Sequence, residues 1–578
     1  MAQETITLKG AEYILRILEL CDVETVFGYP GGAILPIYDA LPQSKINHVL
    51  VRHEQGAAFA ASGFGRVANK VGVCFATSGP GATNLLTGIA DAYCDSVPVV
   101  AVTGQVGYPL IGTDAFQETD ITGVFMPVTK KTYLLRDITK AEEIFKEAFE
   151  IAKNGRPGPV LIDIPKDIQA NPVELAANWE ENFKKPHYYR INKAQISQFE
   201  AASELLKEAK KPLILAGHGV LISKATKALI HWAEQENLPV VTTILGKDIL
   251  PPTHPLYFSW LGMHGMKYAN LAIQECDLII AAGVRFDDRI TGKLDTFAPN
   301  AKIIHIDIDE SENSKIRKAD VFLHSDVLEA IKNMPTSNTE NAQIARKEWL
   351  KHLTSLREQY PLLQPDYSIF DQIAGLKILN EYIAKDAYVV TDVGQHQMWS
   401  AQYLFMRPNH FVTSGGLGAM GFGLPAAMGV QAAHPDKEVW CVAGDGSFMM
   451  NIQELITCLQ ENYPIKILVM DNNYLGMVRQ WQEQFYANNL SGVVLNNPDF
   501  AMVARALGMK TATAEDTEEL ALAIEQAQGT KGPFLIHAKV VREDKVLPMV
   551  PPGKSLSDTL YYTDIENKKY PKVPVYVR

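Results

Sequence analysis

The chain has 578 residues, 47% hydrophobic and 21% charged, with a formal net charge of −12 at pH 7. That length predicts three or four domains of roughly 100 to 200 residues, each able to bury its own core. The acidic balance argues against a nucleic-acid partner, and no apolar run approaches the roughly 18 to 20 residues that span a bilayer, so no membrane partner is expected.

The opening stretch MAQETITLKGAEYILRILEL has acids near its start and apolar residues at helical spacing. It predicts an amphipathic first helix and no secretory or organellar address. VRHEQGAAFAASGFGRVA follows as a small-residue helix with Glu54 at its start. From Val71, VGVCFATSGPGATNLLTGIADAYCDSVPVVAVTG runs as strand, Gly-containing turn, helix, and a proline opening a second apolar strand. A polar, Asn- and Pro-containing stretch near 171–195 predicts a linker. KPLILAGHGV, LPVVTT, CDLIIAAG and AKIIHIDID then alternate with helical stretches as a doubly wound unit, and PTSNTENAQ and QYPLLQPDYS predict a second linker around 335–370.

Beyond it, GAMGFGLPAAMGV is another small-residue segment, and EVWCVAGDGSFMMNIQELITCLQENYPIKILVMDN from Glu438 repeats the order of the Val71 stretch. Cys74 to Pro98 and Cys441 to Pro464 are nearly equal steps, so the two outer domains are expected to be related. The predicted fold class is α/β, with three doubly wound parallel-sheet domains at 1–175, 190–345 and 365–550. The Pro- and Tyr-rich end, 551–578, is expected to be an extended arm over the active site. Six cysteines without CxxC spacing, mostly in apolar segments, predict reduced thiols in a cytoplasmic protein.

Val439 to Ala443 is an apolar strand, and Phe448, Ile452, Leu455 and Leu459 recur on one helical face, so strand becomes helix at GDGS. Gly444 and Gly446 permit the tight turn, which faces the crevice where open α/β sheets bind ligands. Asp445 there either caps the helix or holds a cation bridging to phosphate, and Mg²⁺ suits the second role. The next strand, IKILVM, ends at Asp471, Asn472 and Asn473, bringing an amide oxygen beside Asp445. That pairing favours the metal. Glu54, at a helix start, is explained by the helix dipole or by catalysis.

GDG at 444–446 with NN at 472–473 resembles the thiamine diphosphate signature. The resemblance implies that Asp445, Asn472 and Tyr474 hold Mg²⁺. It further implies that Gln395, His396, Gly418, Gly444, Gly446, Ser447, Gly476 and Met477 line the cofactor. Glu54 would protonate the far nitrogen of the aminopyrimidine and so promote loss of the C2 proton. Met420 resembles the bulky residue that bends the cofactor, although a lone methionine also fills core gaps.

VFGYPGGAILPIYDAL, GQVGYPLIGTDAFQETD, WLGMHG, GVRFDDRITG, VGQHQMWSAQ and YLGMVRQWQE are similar, in order, to the large catalytic subunits of acetohydroxyacid synthases, also called acetolactate synthases. The resemblance implies decarboxylation of pyruvate and transfer of its hydroxyethyl unit to pyruvate or 2-ketobutyrate. The products are 2-acetolactate or 2-aceto-2-hydroxybutyrate, for valine, leucine and isoleucine synthesis. Gln117, Lys166 and Gly32 resemble residues of the substrate path, although Lys166 reads equally as a surface lysine. Trp481 and Arg289 resemble the pair that selects the larger acceptor.

GVRFDDR implies FAD in a central Rossmann-like domain, with Gly217, Gly219, His264, Arg285, Asp307 and Asp326 around a chiefly structural flavin. AGHGV alone is weak, lacking the third glycine of the dinucleotide fingerprint. Val284 and Asp471 depart from the Ala and Asn common in relatives. The resemblance also implies a homodimer or homotetramer with active sites at the subunit interface and a regulatory small subunit. The alternatives are a pyruvate oxidase-like flavoenzyme, a catabolic acetolactate synthase without flavin, and a non-catalytic nucleotide-binding relative.

Overall fold

The computed structural model describes residues 4–337, 339–542 and 544–566. The chain divides into two compact units, Met1–Tyr189 with Tyr367–Asp544, and Arg190–Asp366 with Lys545–Arg578. Of the expected arm, 567–578 lies outside the described residues, as do 1–3 of the expected first helix.

Residues Thr5–Lys9 form a strand, β1, and the helix spans Gly10–Leu20. This corrects the expectation of a helix from the start: TITLK is rich in β-branched residues and pairs antiparallel with Pro172–Ala176. The partner strand is β8, inside the stretch expected as a linker. Between them run β2 (Thr25–Gly28), β3 (Asn47–Leu50), β4 (Gly72–Ala76), β5 (Val99–Gln105), β6 (Lys131–Leu134) and β7 (Val160–Pro165). Their parallel sheet has the order β3-β2-β4-β5-β7-β6.

The second unit holds β9 (Pro212–Ala216), β10 (Val240–Thr242), β11 (Tyr257–Trp260), β12 (Leu278–Ala282), β13 (Lys302–Asp307) and β14 (Val321–His324). Their order, β11-β10-β9-β12-β13-β14, is the dinucleotide-binding order, reversing between β9 and β12. Against this sheet's own domain, Val550 N donates to the Met263 carbonyl and Lys293 N to that of Lys554, so the described start of the arm packs on the middle domain.

Back in the first unit come β15 (Tyr388–Thr391), β16 (Phe411–Val412), β17 (Val439–Gly444), β18 (Lys466–Asp471), β19 (Lys510–Ala514) and β20 (Phe534–Lys539). The order β16-β15-β17-β18-β20-β19 repeats that of the first sheet strand for strand, so the outer domains are two copies of one topology. Strands β4, β5 and β18 are buried along their whole length, because parallel sheets are covered on both faces; hence the unbroken apolar runs in the sequence.

The two small-residue segments become helices Glu54–Val67 and Gly423–Ala433, which cross each other. A Cβ on Gly63 would lie 2.2 Å from the Ala426 carbonyl oxygen, and one on Gly429 would lie 1.9 Å from that of Ala60. Backbone meets backbone at this crossing, and Phe59 and Phe422 seal it edge to face at 5.4 Å. One hydrophobic core therefore runs through both outer domains. No described helix is long and apolar enough to cross a membrane. Among the described residues the cysteines form no disulfide, and all but Cys94 are buried.

Candidate active site

In the C-terminal sheet the strand order reverses between β15 and β17, and polar residues converge at their carboxyl ends. Asp392, just past β15, accepts from Val393 N at 2.8 Å, Gly421 N at 2.9 Å and Gly423 N at 2.9 Å. Burial pushes its pKa up to about 6 despite these donors. The carboxylate thereby fixes the end of the loop that carries Gly418, with φ 67°, and half-buried Met420.

Gly444 and Gly476 are glycine because the helix Gln395–Tyr403 comes close. A Cβ on Gly444 would lie 2.7 Å from His396 Nδ1, and one on Gly476 would lie 2.0 Å from Gln395 Oε1. Gln395 Nε2 donates to Gln480 Oε1 at 3.0 Å, and Ser447 Oγ donates to the Gly444 carbonyl at 3.0 Å. His396 Nε2 is buried without a hydrogen-bond partner, and burial lowers the ring's pKa to about 3, so the imidazole is neutral. An orphaned buried nitrogen beside a glycine turn fits a bound polar group.

Asp445 Oδ1 accepts from Gly446 N at 2.9 Å, and its Oδ2 from Asn497 Nδ2 at 2.7 Å. The same nitrogen reaches Asp471 Oδ1 at 2.8 Å, and Asp471 Oδ2 lies 2.9 Å from His537 Nε2. Burial, then the nearby Asp471 carboxylate, pushes Asp445 up to about 7. Burial acts the same way on Asp471, but bonds led by His537 outweigh it and hold Asp471 below the ordinary value. Asn472 Oδ1 accepts from Tyr474 N at 3.0 Å, in a turn that Asn473 makes with φ 57°.

Among the described residues no group of three or more His, Cys, Asp or Glu side chains forms a metal cage. The donors here are instead carboxylate, amide oxygen and backbone carbonyl. That set fits Mg²⁺, a hard cation that takes oxygen ligands and commonly binds through one or two carboxylates together with phosphate and water.

Glu54 opens its helix and is 8% exposed. Its Oε2 accepts from Asn84 Nδ2 at 2.9 Å, and a Cβ on Gly81 would lie 3.2 Å from its Oε1. The preceding His53 caps the helix, its Nδ1 accepting from Gln55 N at 3.1 Å. Among the described hydrogen bonds, Glu54 is held within the N-terminal domain and Asp445 within the C-terminal one, and none joins the two carboxylates in a single chain.

Gly32, Gln117 and Lys166 follow β2, β5 and β7, in the segments beyond the carboxyl ends of the N-terminal sheet. A Cβ on Gly32 would meet nothing within 4 Å, so the position opens onto free space. Gln117 has φ 60°, and Lys166 is exposed at the start of the helix Lys166–Ala170. In the C-terminal domain, Met477, Val478, Trp481, Phe485 and Tyr486 line a cavity of about 730 Å³ along the helix Gly476–Phe485.

In the middle domain, Gly217 and Gly219 follow β9 at the switch point. A Cβ on Gly217 would lie 2.2 Å from the Gly283 carbonyl oxygen and one on Gly219 2.7 Å from Gly283 Cα, so two turns close backbone to backbone. Asp307 ends β13 and accepts from Asp309 N at 2.9 Å. Asp326 Oδ1 caps the helix Val327–Asn333 and accepts from Arg190 Nη1 at 2.7 Å. Arg285 is half-buried in the turn after β12. Arg289 is exposed, with Nη1 3.2 Å from the Met263 sulfur. Burial, then Arg289, lowers buried His264 to about 4.

Sequence reasoning missed Asp392, Asn497, His537 and Asn84. Asp392 had a signal, since like Asp445 it directly follows a strand, as Asp471 ends one; the others belong to no spacing pattern and are found only by their contacts.

Three family models match the chain: thiamine pyrophosphate enzyme, N-terminal TPP binding domain, at 8–124; the central domain at 199–334; and the C-terminal TPP binding domain at 392–538. The chain is 45% identical over 561 residues to the acetolactate synthase isozyme 2 large subunit of Escherichia coli (strain K12), covering 96% of this chain and 99% of the relative. It is 46% identical over 563 residues to the acetolactate synthase large subunit of Parasynechococcus marenigrum (strain WH8102), covering 95% and 90%. With that of Porphyra purpurea the figures are 45% over 539 residues, 92% and 91%.

Proposed function

The chain belongs to the acetolactate synthase large subunits, thiamine diphosphate-dependent enzymes of two-carbon transfer, and on that premise we propose which of its residues hold the cofactor and substrates. Asp445, Asn472 and the Tyr474 carbonyl would hold Mg²⁺, which would neutralise the charge of the cofactor's diphosphate. His396, whose Nε2 is buried without a protein partner, would lie against the bound cofactor. Gln395, Gly418, Gly444, Gly446, Ser447, Gly476 and Met477 would shape the surrounding wall, and Met420 would support the cofactor from below.

Thiamine diphosphate supplies, when bound, a nucleophilic carbon and an electron sink for decarboxylating a 2-keto acid. Glu54 holds a proton at the far nitrogen of the aminopyrimidine. Its near-complete burial supports the role, because a water-poor setting strengthens the contact between carboxylate and ring. Gln117, Lys166 and Gly32 line the path of pyruvate. Trp481, in its apolar cavity, favours the ethyl group of 2-ketobutyrate over the methyl of pyruvate, and the Arg289 guanidinium receives the acceptor carboxylate.

The middle domain would hold FAD, with Gly217 and Gly219 admitting its diphosphate and His264, Arg285, Asp307 and Asp326 around it. The strand order and the backbone-on-backbone glycine turns support this. Glu54 and Asp445 have their partners in different domains, which supports a site completed by a second copy of the chain, in a dimer or tetramer. The relatives' designation as large subunits supports a regulatory small subunit, and buried thiols suit the cytoplasm.

The observation that carries this reading is the meeting of Asp445 with the Asp471–Asn472 turn at adjacent strand ends. Purified protein with Mg²⁺ and thiamine diphosphate, given pyruvate anaerobically with and without 2-ketobutyrate and FAD, is expected to release 2-acetolactate and 2-aceto-2-hydroxybutyrate. Acetate or acetyl phosphate as the main product, with flavin reduction, would overturn it.

A further inference from the structure

Residues 451–460, shortly after the Asp445 turn, grip the chain that leads into Glu54. Asn451 Nδ2 donates to Gln55 Oε1 at 3.2 Å. Glu454 Oε1 accepts from Arg52 N at 2.9 Å and from His53 N at 3.2 Å. Thr457 Oγ1 lies 3.4 Å from the Leu50 carbonyl, and Gln460 Oε1 accepts from Arg52 Nη2 at 2.8 Å. A Cβ on Gly56 would stand 2.8 Å from Glu454 Oε1, so glycine there lets the carboxylate reach over the helix start.

Glu454 is fully buried, where a carboxylate is costly unless its oxygens are hydrogen-bonded. Thr457 Oγ1, at 2.7 Å from Oε2, and the two backbone amides satisfy it. Arg52 and His53 precede the helix Glu54–Val67, so their N–H groups lie outside its hydrogen-bond ladder. A carboxylate from the other domain thus holds the main chain one residue before Glu54.

We propose that Glu454 is the positioning residue for Glu54: through the Arg52 and His53 amides it fixes the height of the Glu54 carboxylate, and the segment 451–460 ties that height to the metal-binding turn of the same chain. This rests on Glu54 being the group that acts on the aminopyrimidine. Misplacing a reacting group by about 1 Å costs on the order of 100-fold. Glu454→Asp withdraws the carboxylate by one methylene and keeps its charge, whereas Glu454→Gln keeps the reach and an acceptor oxygen.

The experiment measures hydrogen–deuterium exchange at C2 of thiamine diphosphate bound to the full-length protein with Mg²⁺, alongside cofactor affinity and melting temperature. Glu454→Asp is expected to slow exchange about 10- to 100-fold. Cofactor affinity should stay near wild type, melting should fall modestly because two partly buried amides lose their acceptor, and Glu454→Gln should exchange nearly as the wild type does. Wild-type exchange in Glu454→Asp, equal loss in both variants, or cofactor affinity falling in step with exchange would each overturn the proposal. Glu54→Gln is the reference: slow exchange there with normal exchange in Glu454→Asp defeats the positioning role alone, and normal exchange in Glu54→Gln defeats the assignment of Glu54 itself.

Discussion

Asn497 donates to the Asp445 carboxylate across 2.7 Å, and its single amide nitrogen also reaches Asp471 at 2.8 Å. Two acids on neighbouring strand ends are thus kept together by one neutral side chain, which fixes the orientation of Asp445. Removing such an orienting partner typically costs about 10- to 100-fold in metal affinity. Asn497→Ala should therefore weaken Mg²⁺-dependent binding of thiamine diphosphate by about that factor, read from cofactor titrations at fixed Mg²⁺. An unchanged titration would remove Asn497 from the site.

Trp481 stands beside Phe485, ring centroids 5.8 Å apart, in the cavity along its helix. An apolar pocket separates substrates differing by one methylene by about 1–3 kcal/mol, so Trp481→Leu should lower the share of 2-aceto-2-hydroxybutyrate by roughly 10-fold or more. The check is the product ratio from mixed pyruvate and 2-ketobutyrate. Retained preference would assign selection to other residues.

Gly217→Ala puts a Cβ 2.2 Å from the Gly283 carbonyl oxygen, a backbone atom that cannot move aside cheaply. The turn must open, and the variant is expected to purify without flavin absorbance while still binding thiamine diphosphate in the other unit. A variant as yellow as the wild type would place the flavin elsewhere.

Asp163 lies buried in β7, accepting from Thr103 Oγ1 at 2.6 Å and from Gln105 Nε2 at 2.9 Å. Burial pushes its pKa up to about 7. An acid whose folded pKa exceeds its unfolded one stabilises fully below the unfolded value, about 4, and loses that contribution as pH rises through about 7. The melting temperature of the wild type relative to Asp163→Asn should therefore fall between pH 5 and pH 8. A constant offset would show that Asp163 is ionised throughout.

Much of this was legible because it is local. Strands covered on both faces appear as apolar runs, their ends are marked by GDG and DNN, and two segments of small residues are visible as a pair. Even so, the helical spacing of the opening stretch hides the strand TITLK, which depends on a partner at Pro172–Ala176 that no local pattern announces. Asp471 was noticed as a departure from the familiar amide, yet its tie to Asp445 needed Asn497, and Asp392 was passed over although it too follows a strand.

By itself the sequence determined the layered α/β architecture, the duplication of the outer domains and the cofactor signature, because periodicity, glycine turns and strand-end residues act over short stretches. Only the tertiary structure decided that Gly63 and Gly429 let two helices cross, that His396 Nε2 is left without a partner, and that Glu454 reaches the Arg52 amide from 402 residues away. Those contacts depend on burial and on distances of about 3 Å between residues remote in the chain, where a hydrogen bond is strong because water is excluded.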